Sequence, residues 1–197
     1  MIEENNKEFN LRPSKERAKI HINEKSKIAE KAMMFIHDSG TYFFDSSTIL
    51  QLIAKKIDKH PTIYTNSLDS FYILSKKDNL LVNLIGGDFN KINRFFYPKD
   101  LKDLKFDTAF LGAGAIKHDG IYYQDEEDIP LKREIIKRSK KVVIVAEHQK
   151  YKSDALYKAI AFEEIDVIIV DPISTNSFLE IVEEQEIKFD PKSIIIL

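Results

Sequence analysis

Side chains able to bind an anion or move a proton recur in this chain at one kind of place, directly after short apolar runs. Asp45, Ser46, Ser47 and Thr48 follow Tyr42, Phe43 and Phe44, while Thr65, Asn66 and Ser67 follow TIY. Gly86 and Gly87 follow LLVNLI, Gly112, Ala113 and Gly114 follow DTAFL, and Glu147, His148, Gln149 and Lys150 follow VVIVA. In open α/β sheets, ligands bind in the crevice outside the carboxyl ends of the strands, so these exits point at one shared crevice. The residues at 45–48 suit a phosphate. Short hydroxyl side chains sit just before a helix whose free N–H groups and positive dipole end favour an anion, with Ser46, Ser47 and Thr48 as donors. The same residue types are ordinary helix caps, and the tetrapeptide alone leaves both readings open. Asn66 could reach a ligand hydroxyl or only fix its own turn. Lys150 could neutralise an anion or stand in solvent. The glycines at 112 and 114 do not complete GxGxxG and suit a close backbone approach or a tight turn.

Other chemistries find little support. The chain has no Cys, which excludes thiolate metal sites, disulfides and a cysteine nucleophile. Histidines 21, 37, 60, 118 and 148 show no HxxxH or HxH spacing, and GxSxG, P-loop and HExxH motifs are absent. No cofactor and no metal are expected. An isomerase would need a carboxylate base, for which Asp107, Asp119 or Glu127 can be nominated. Asp107 lies at a strand start, the wrong end for this crevice. The stretch 132–141 holds six basic residues and one Glu. Leu131, Ile135 and Ile136 give it the spacing of a surface helix, whose charges are expected in solvent beside the acids of EEDIP.

The elements that position these residues follow from periodicity. The chain has 197 residues, 43% hydrophobic and 31% charged, which suits one large domain. A formal net charge of −2 argues against a wholesale basic face for duplex DNA. Residues 1–22 are charged and aperiodic and read as an arm or linker, with the domain proper over 23–197. From Asn23, the expected N-cap, helical spacing runs to residue 36. Further helices are predicted over 48–57, 68–75, 131–141 and from a Ser174 cap to 184. Strands are predicted at TYFF, TIYT, LLVNLI, DTAFL, VVIVA, DVIIV and SIIIL, with 88–105 irregular. Several strands are apolar on both faces, so the fold class is α/β, a mostly parallel sheet with helices on both faces. The longest apolar runs fall far below the roughly 20 residues of a spanning helix, and the polar N-terminus is unlike a signal peptide. A cytoplasmic protein without a membrane partner is expected.

The order of these segments resembles the C-terminal sensor domain of the DeoR family of bacterial transcriptional repressors. EKSKIAEKAMMFI resembles the family's opening helix, FFDSST its strand and DSGTT loop, and IYTNSL its VTNS segment. LIGGDFN is similar to the LxGG turn, FDTAFLGAGAI to FDxAFxGxxGI, and DGIYYQDEEDIPLKREII to the stretch ending in VKR. VVIVAEHQKYK resembles the LxDxSKF region and IDVIIVD the IDxxITD run. The resemblance implies a fold related to ribose-phosphate isomerases and CoA transferases, with a phosphorylated sugar at the strand exits. Asp45, Ser46, Ser47 and Thr48 would form the phosphate loop, Thr65 and Asn66 would line the crevice, and Gly112, Ala113 and Gly114 would be its floor. Lys150 would match the family's lysine near the ligand. Ser47 stands where the family has Gly, Ile49 replaces its second Thr, and Glu147 replaces its Asp.

These observations set the expected function: an effector-binding domain of a repressor, binding a phosphorylated sugar to regulate DNA binding. A sugar-phosphate isomerase on the same fold is the alternative, and an oligomerisation module with a decayed pocket a third reading. The family's winged helix-turn-helix has no counterpart in the roughly twenty residues before the first sensor helix, so DNA contact is expected only through such a domain. The aromatic stretch 89–97, with Ile121, Tyr122 and Tyr123, suggests a surface for a homodimer or homotetramer.

Overall fold

The structure, a computed structural model, describes residues 12–197. In chain order the elements are α1 (Ser14–Arg17), α2 (Ile22–Ala32), β1 (Thr41–Phe44), α3 (Thr48–Lys56), β2 (Thr62–Thr65) and α4 (Leu68–Leu74). Next come β3 (Leu81–Leu84), β4 (Asp88–Asn90), β5 (Phe95–Tyr97), β6 (Thr108–Gly112), β7 (Ala115–Lys117) and β8 (Gly120–Tyr123). The last are α5 (Ile129–Lys137), β9 (Val142–Ala146), β10 (Tyr157–Ala161), β11 (Val167–Val170), α6 (Thr175–Glu184) and β12 (Ile194–Ile196).

The apolar runs pair into a parallel seven-stranded sheet among the described residues, in the order β12-β11-β9-β6-β1-β2-β3. Successive side chains of a strand point to opposite faces, and here both faces are covered. Tyr42, Phe44, Phe110, Val143, Val145 and Ile169 pack with Ile28 of α2 and Ile49 and Ile53 of α3. Phe43, Ala109, Leu111, Ile144 and Ile168 face the other way, onto Leu131 and Ile135 of α5 and Phe178 of α6. This two-sided burial is why the strands read as continuous apolar runs. Strand order also reverses between β1 and β6, since the chain winds outward to β3 before returning beside β1. Such a switch point leaves a crevice between two strand exits.

Three local expectations differ from the structure. Residues 88–105 are not wholly irregular: β4 and β5 pair antiparallel, Asp88 with Tyr97 and Asn90 with Phe95. Strands of three residues are too short to leave a periodic trace. After Gly114 the chain turns into a second, antiparallel sheet of β10, β8 and β7. It takes Ile121 and Tyr123 into the core, and Phe95 is buried as well, so much of the aromatic surface assigned to self-association folds inward. Finally, α2 begins at Ile22 behind His21, which has a left-handed φ of 53° and makes no side-chain cap bond, rather than at an Asn23 cap. The reason is that the preceding residues already form α1 and must turn sharply into α2. Residues 1–11 of the segment read as an arm lie outside the described residues, while Ser14 is buried and its N–H reaches the Ile92 carbonyl. No helix among the described residues is long and apolar enough to cross a membrane.

Candidate functional site

At the switch point, the exits of β1 and β6 meet the turn after β9 around one pocket. Its lining includes Ser46, Ser47 and Thr48, the backbone of Gly112, Ala113 and Gly114, and Glu147 and Lys150. The nine-residue α3 starts here, with Ser47 as N-cap, its Oγ accepting the Ile49 N–H at 3.3 Å. The Thr48 N–H belongs to the first turn and has no acceptor within the helix, so it is available to a ligand. Ile49, where the resemblance expects a hydroxyl, is buried in the core face of α3.

Asp45 is also at the pocket, but its carboxylate is turned onto the protein. One oxygen accepts the Ser47 N–H at 2.7 Å, and the other accepts the Gly112 N–H at 2.8 Å and the Lys132 ammonium at 3.3 Å. It therefore shapes the loop. Gly112 is required by proximity, because a Cβ there would lie 2.6 Å from the Ser47 Cβ. The Tyr123 hydroxyl donates to the Gly112 carbonyl at 2.6 Å and fixes the same floor.

Lys150 lies on the turn of a 3-10 helix over His148–Tyr151 and is 5% exposed. Burial, reinforced by nearby Arg17 and Lys25 and opposed by Glu147, lowers its pKa to about 7. Lys25 in turn lies 3.4 Å from Glu147 and donates to the Ile20 carbonyl at 2.8 Å.

Thr65 and Asn66 are not brought into this pocket. Both are fully buried, and the Thr65 hydroxyl accepts the Ser67 N–H at 3.0 Å. Asn66 donates its side-chain amide to the Phe96 carbonyl at 3.0 Å, and its backbone carbonyl accepts the Phe96 N–H at 2.9 Å. For Asn66 the physical reason is the β4–β5 hairpin, which lies over the β2 exit and bonds its side-chain amide and its backbone carbonyl, while its Oδ1 is buried without a partner among the described residues.

Several lining residues escaped the sequence reading. Lys132, in the basic run expected to be solvated, is 1% exposed and sits 3.0 Å from Asp128, one helical turn before it. Burial alone would lower its pKa, but Asp128 and Asp45 outweigh that and hold it above the usual lysine value. Asp128 is pushed up, chiefly by burial, against the pull of Lys132. The i,i+4 spacing of Asp128 and Lys132 was the available signal. Arg17, Asn93 and Asp125 complete the polar wall. Asp125 accepts from the Tyr97 hydroxyl and from Asn90 at 3.2 Å, which anchors the hairpin to the pocket. None of the carboxylates nominated as an isomerase base lines the pocket. Asp107 accepts from Thr41 N–H and Lys140 at the opposite end of the strands, Asp119 pairs with Lys158 at 2.7 Å, and Glu127 is exposed.

The chain is similar to several known proteins. It is 32% identical over 177 residues to the HTH-type transcriptional repressor GlcR of Bacillus subtilis, covering 87% of this chain and 69% of that protein. It is 24% identical over 185 residues to the glycerol-3-phosphate regulon repressor of Escherichia coli, covering 90% of this chain and 73% of that protein. Among solved structures, a chain of the tetrameric eIF2B-beta2-delta2 complex from C. thermophilum aligns with a TM-score of 0.53 at 14% identity, over 83% of this chain and 60% of that one, which concerns the fold alone. Ribose 5-phosphate isomerase from Plasmodium falciparum aligns with a TM-score of 0.47 at 13% identity, over 66% of this chain and 52% of that one. The model of the DeoR C terminal sensor domain matches residues 20–172, most of the chain. The chain belongs to the DeoR C-terminal sensor domain family.

Proposed function

We propose that this domain binds a phosphorylated sugar or polyol at the switch-point pocket and so regulates DNA binding by a helix-turn-helix. The observation that carries the reading is the start of α3, where Ser46, Thr48 and a first-turn amide stand in one pocket with the Lys150 side chain. Amides, hydroxyls and a cation together are the donor set of a phosphate site. The relatives are named as repressors, one of them of a glycerol-3-phosphate regulon, which supports a sensor rather than a catalyst and a small phosphate ester as ligand. Regulation then needs only that the ligand prefer one arrangement of domains or subunits over another.

A thermal-shift panel tests this with hexose, pentose and triose phosphates beside their unphosphorylated forms. A ligand at about 100 times its dissociation constant should add about 2.7 kcal/mol of stability. A shift with phosphorylated compounds only is expected, and a flat panel or equal shifts with the unphosphorylated sugars would sink the reading. Self-association into dimers or tetramers belongs to the same proposal. Ile92, at the hairpin tip, is 62% exposed, and Ile194 on edge strand β12 is 58% exposed, which supplies apolar surface. Light scattering at micromolar concentration should find a species above 22.9 kDa.

A further inference from the structure

Arg17 precedes the first sensor helix by one turn of chain, yet it lines the pocket. Its terminal nitrogen donates to the Asn93 side chain at 3.0 Å, on the turn between β4 and β5. Its Nε is buried and has no hydrogen-bond partner among the described residues. A buried guanidinium N–H left unsatisfied is costly, and an anionic oxygen is the partner it best accepts. The hairpin on the other side of this contact is fixed to the pocket wall, since Asn90 and Tyr97 both donate to Asp125. On the near side, Lys25 of α2 donates to the Arg17 and Ile20 carbonyls, and the Ser14 N–H reaches the Ile92 carbonyl at 3.4 Å. Residues 14–20 therefore form a strap, held at one end by α2 and at the other by the hairpin, with Arg17 lining the pocket.

We propose that Arg17 is a ligand-binding residue, donating from Nε to the anionic group of the ligand, and that occupancy thereby fixes the strap that precedes α2. The inference rests on the phosphate-site reading of the pocket and adds the route by which the site acts on the rest of the chain. An occupied pocket satisfies Nε and so reinforces the Arg17–Asn93 contact that joins the strap to the hairpin. An empty one leaves the strap held by α2 and a few hairpin contacts, and free to open.

The test uses the full chain with glycerol 3-phosphate, glucose 6-phosphate and inorganic phosphate as probes. Calorimetry gives affinity, and amide hydrogen exchange follows residues 14–20. Arg17→Gln should weaken the tightest probe about tenfold or more, and Arg17→Lys, which keeps the charge, should fall between it and the wild type. Melting of the unliganded variants separates loss of fold from loss of contact. In the wild type, the probe should slow exchange over 14–20, and Asn93→Ala should remove most of that protection. Undiminished affinity in Arg17→Gln, or Arg17→Lys binding no better than Arg17→Gln, overturns the proposal while leaving the phosphate site standing. Binding without added protection of 14–20 overturns the coupling. Failure of every phosphorylated probe with the wild type overturns the site reading and this inference together.

Discussion

Asp45 accepts the backbone N–H of Gly112 at 2.8 Å, across 67 positions of sequence. This bond ties the exit of β1 to the exit of β6 where the strand order reverses, so it sets the width of the crevice. The other carboxylate oxygen holds Ser47 N–H, and Lys132 supplies the countercharge. An anionic side chain committed in this way does not repel a bound phosphate as an exposed one would.

Replacing that carboxylate should loosen both loops at once. Asp45→Asn leaves only one accepting oxygen for the two N–H groups and deprives Lys132 of one of its two partners. Breaking a buried ion pair costs about 3–5 kcal/mol, and the lower end is expected because Asp128 remains. Urea unfolding measures the loss, and a change within about 0.5 kcal/mol, as for an ordinary surface substitution, would contradict the structural role.

Gly112→Ala separates the floor of the pocket from the overall fold. The new methyl would lie 2.6 Å from Ser47 Cβ, so the loop over residues 45–48 must move. Overpacking of this kind costs about 1–3 kcal/mol, which a domain of this size can survive. The expected result is a folded protein with no thermal response to any phosphate ester that stabilises the wild type. A retained response would place the ligand elsewhere.

The sequence exposes the exits of β1, β6 and β9 because parallel strands end on the same side and their polar residues follow apolar runs directly. It conceals which exits remain open. Thr65 and Asn66 look equivalent to Ser46 and Ser47, but a hairpin of three-residue strands covers them, and its pairing leaves no periodic pattern. Lys132 is hidden differently: among six basic residues its burial depends on Asp45, 87 positions away. Arg17 lies in an aperiodic charged stretch, and only its contact with the distant Asn93 reveals it. Local pattern thus specifies the sheet and its helices, while the long-range polar pairs that finish the pocket are set by tertiary structure.

His148 should contribute stability with a definite pH dependence. Its Nδ1 lies 2.6 Å from Asp171, which also accepts the His148 backbone N–H at 2.6 Å. The bond to Asp171 raises the His148 pKa above 6.5, against partial burial. A raised value means that the folded state holds the proton more tightly. The contribution is therefore fully present below the unfolded value and is lost as pH rises through the folded one. His148→Gln should cost about 1–2 kcal/mol at pH 5.5 and less at pH 8.5. An equal cost at both values would mean that the imidazolium contributes nothing.

Lys150 should act in the opposite sense over the adjoining range. Its pKa falls from 10.5 to about 7, first because it is buried and then because Arg17 and Lys25 are close. The unfolded chain therefore binds more protons than the folded one between about pH 7 and pH 10, and stability attributable to this residue rises with pH there. The gain relative to Lys150→Met should approach about 1.4 kcal/mol for each pH unit in that window, and vanish below it where both states are protonated. A phosphate ester in the pocket reverses the balance, because its charge stabilises the ammonium. Binding at pH 8 should then draw a proton from solution, seen as a dependence of the calorimetric heat on the ionisation enthalpy of the buffer. The ligand's own phosphate, with a second pKa of about 6, is already dianionic at that pH and contributes little to the uptake. Parallel stability curves for wild type and Lys150→Met would refute the lowered pKa. A buffer-independent heat in the presence of that stability difference would show instead that the anion does not approach Lys150.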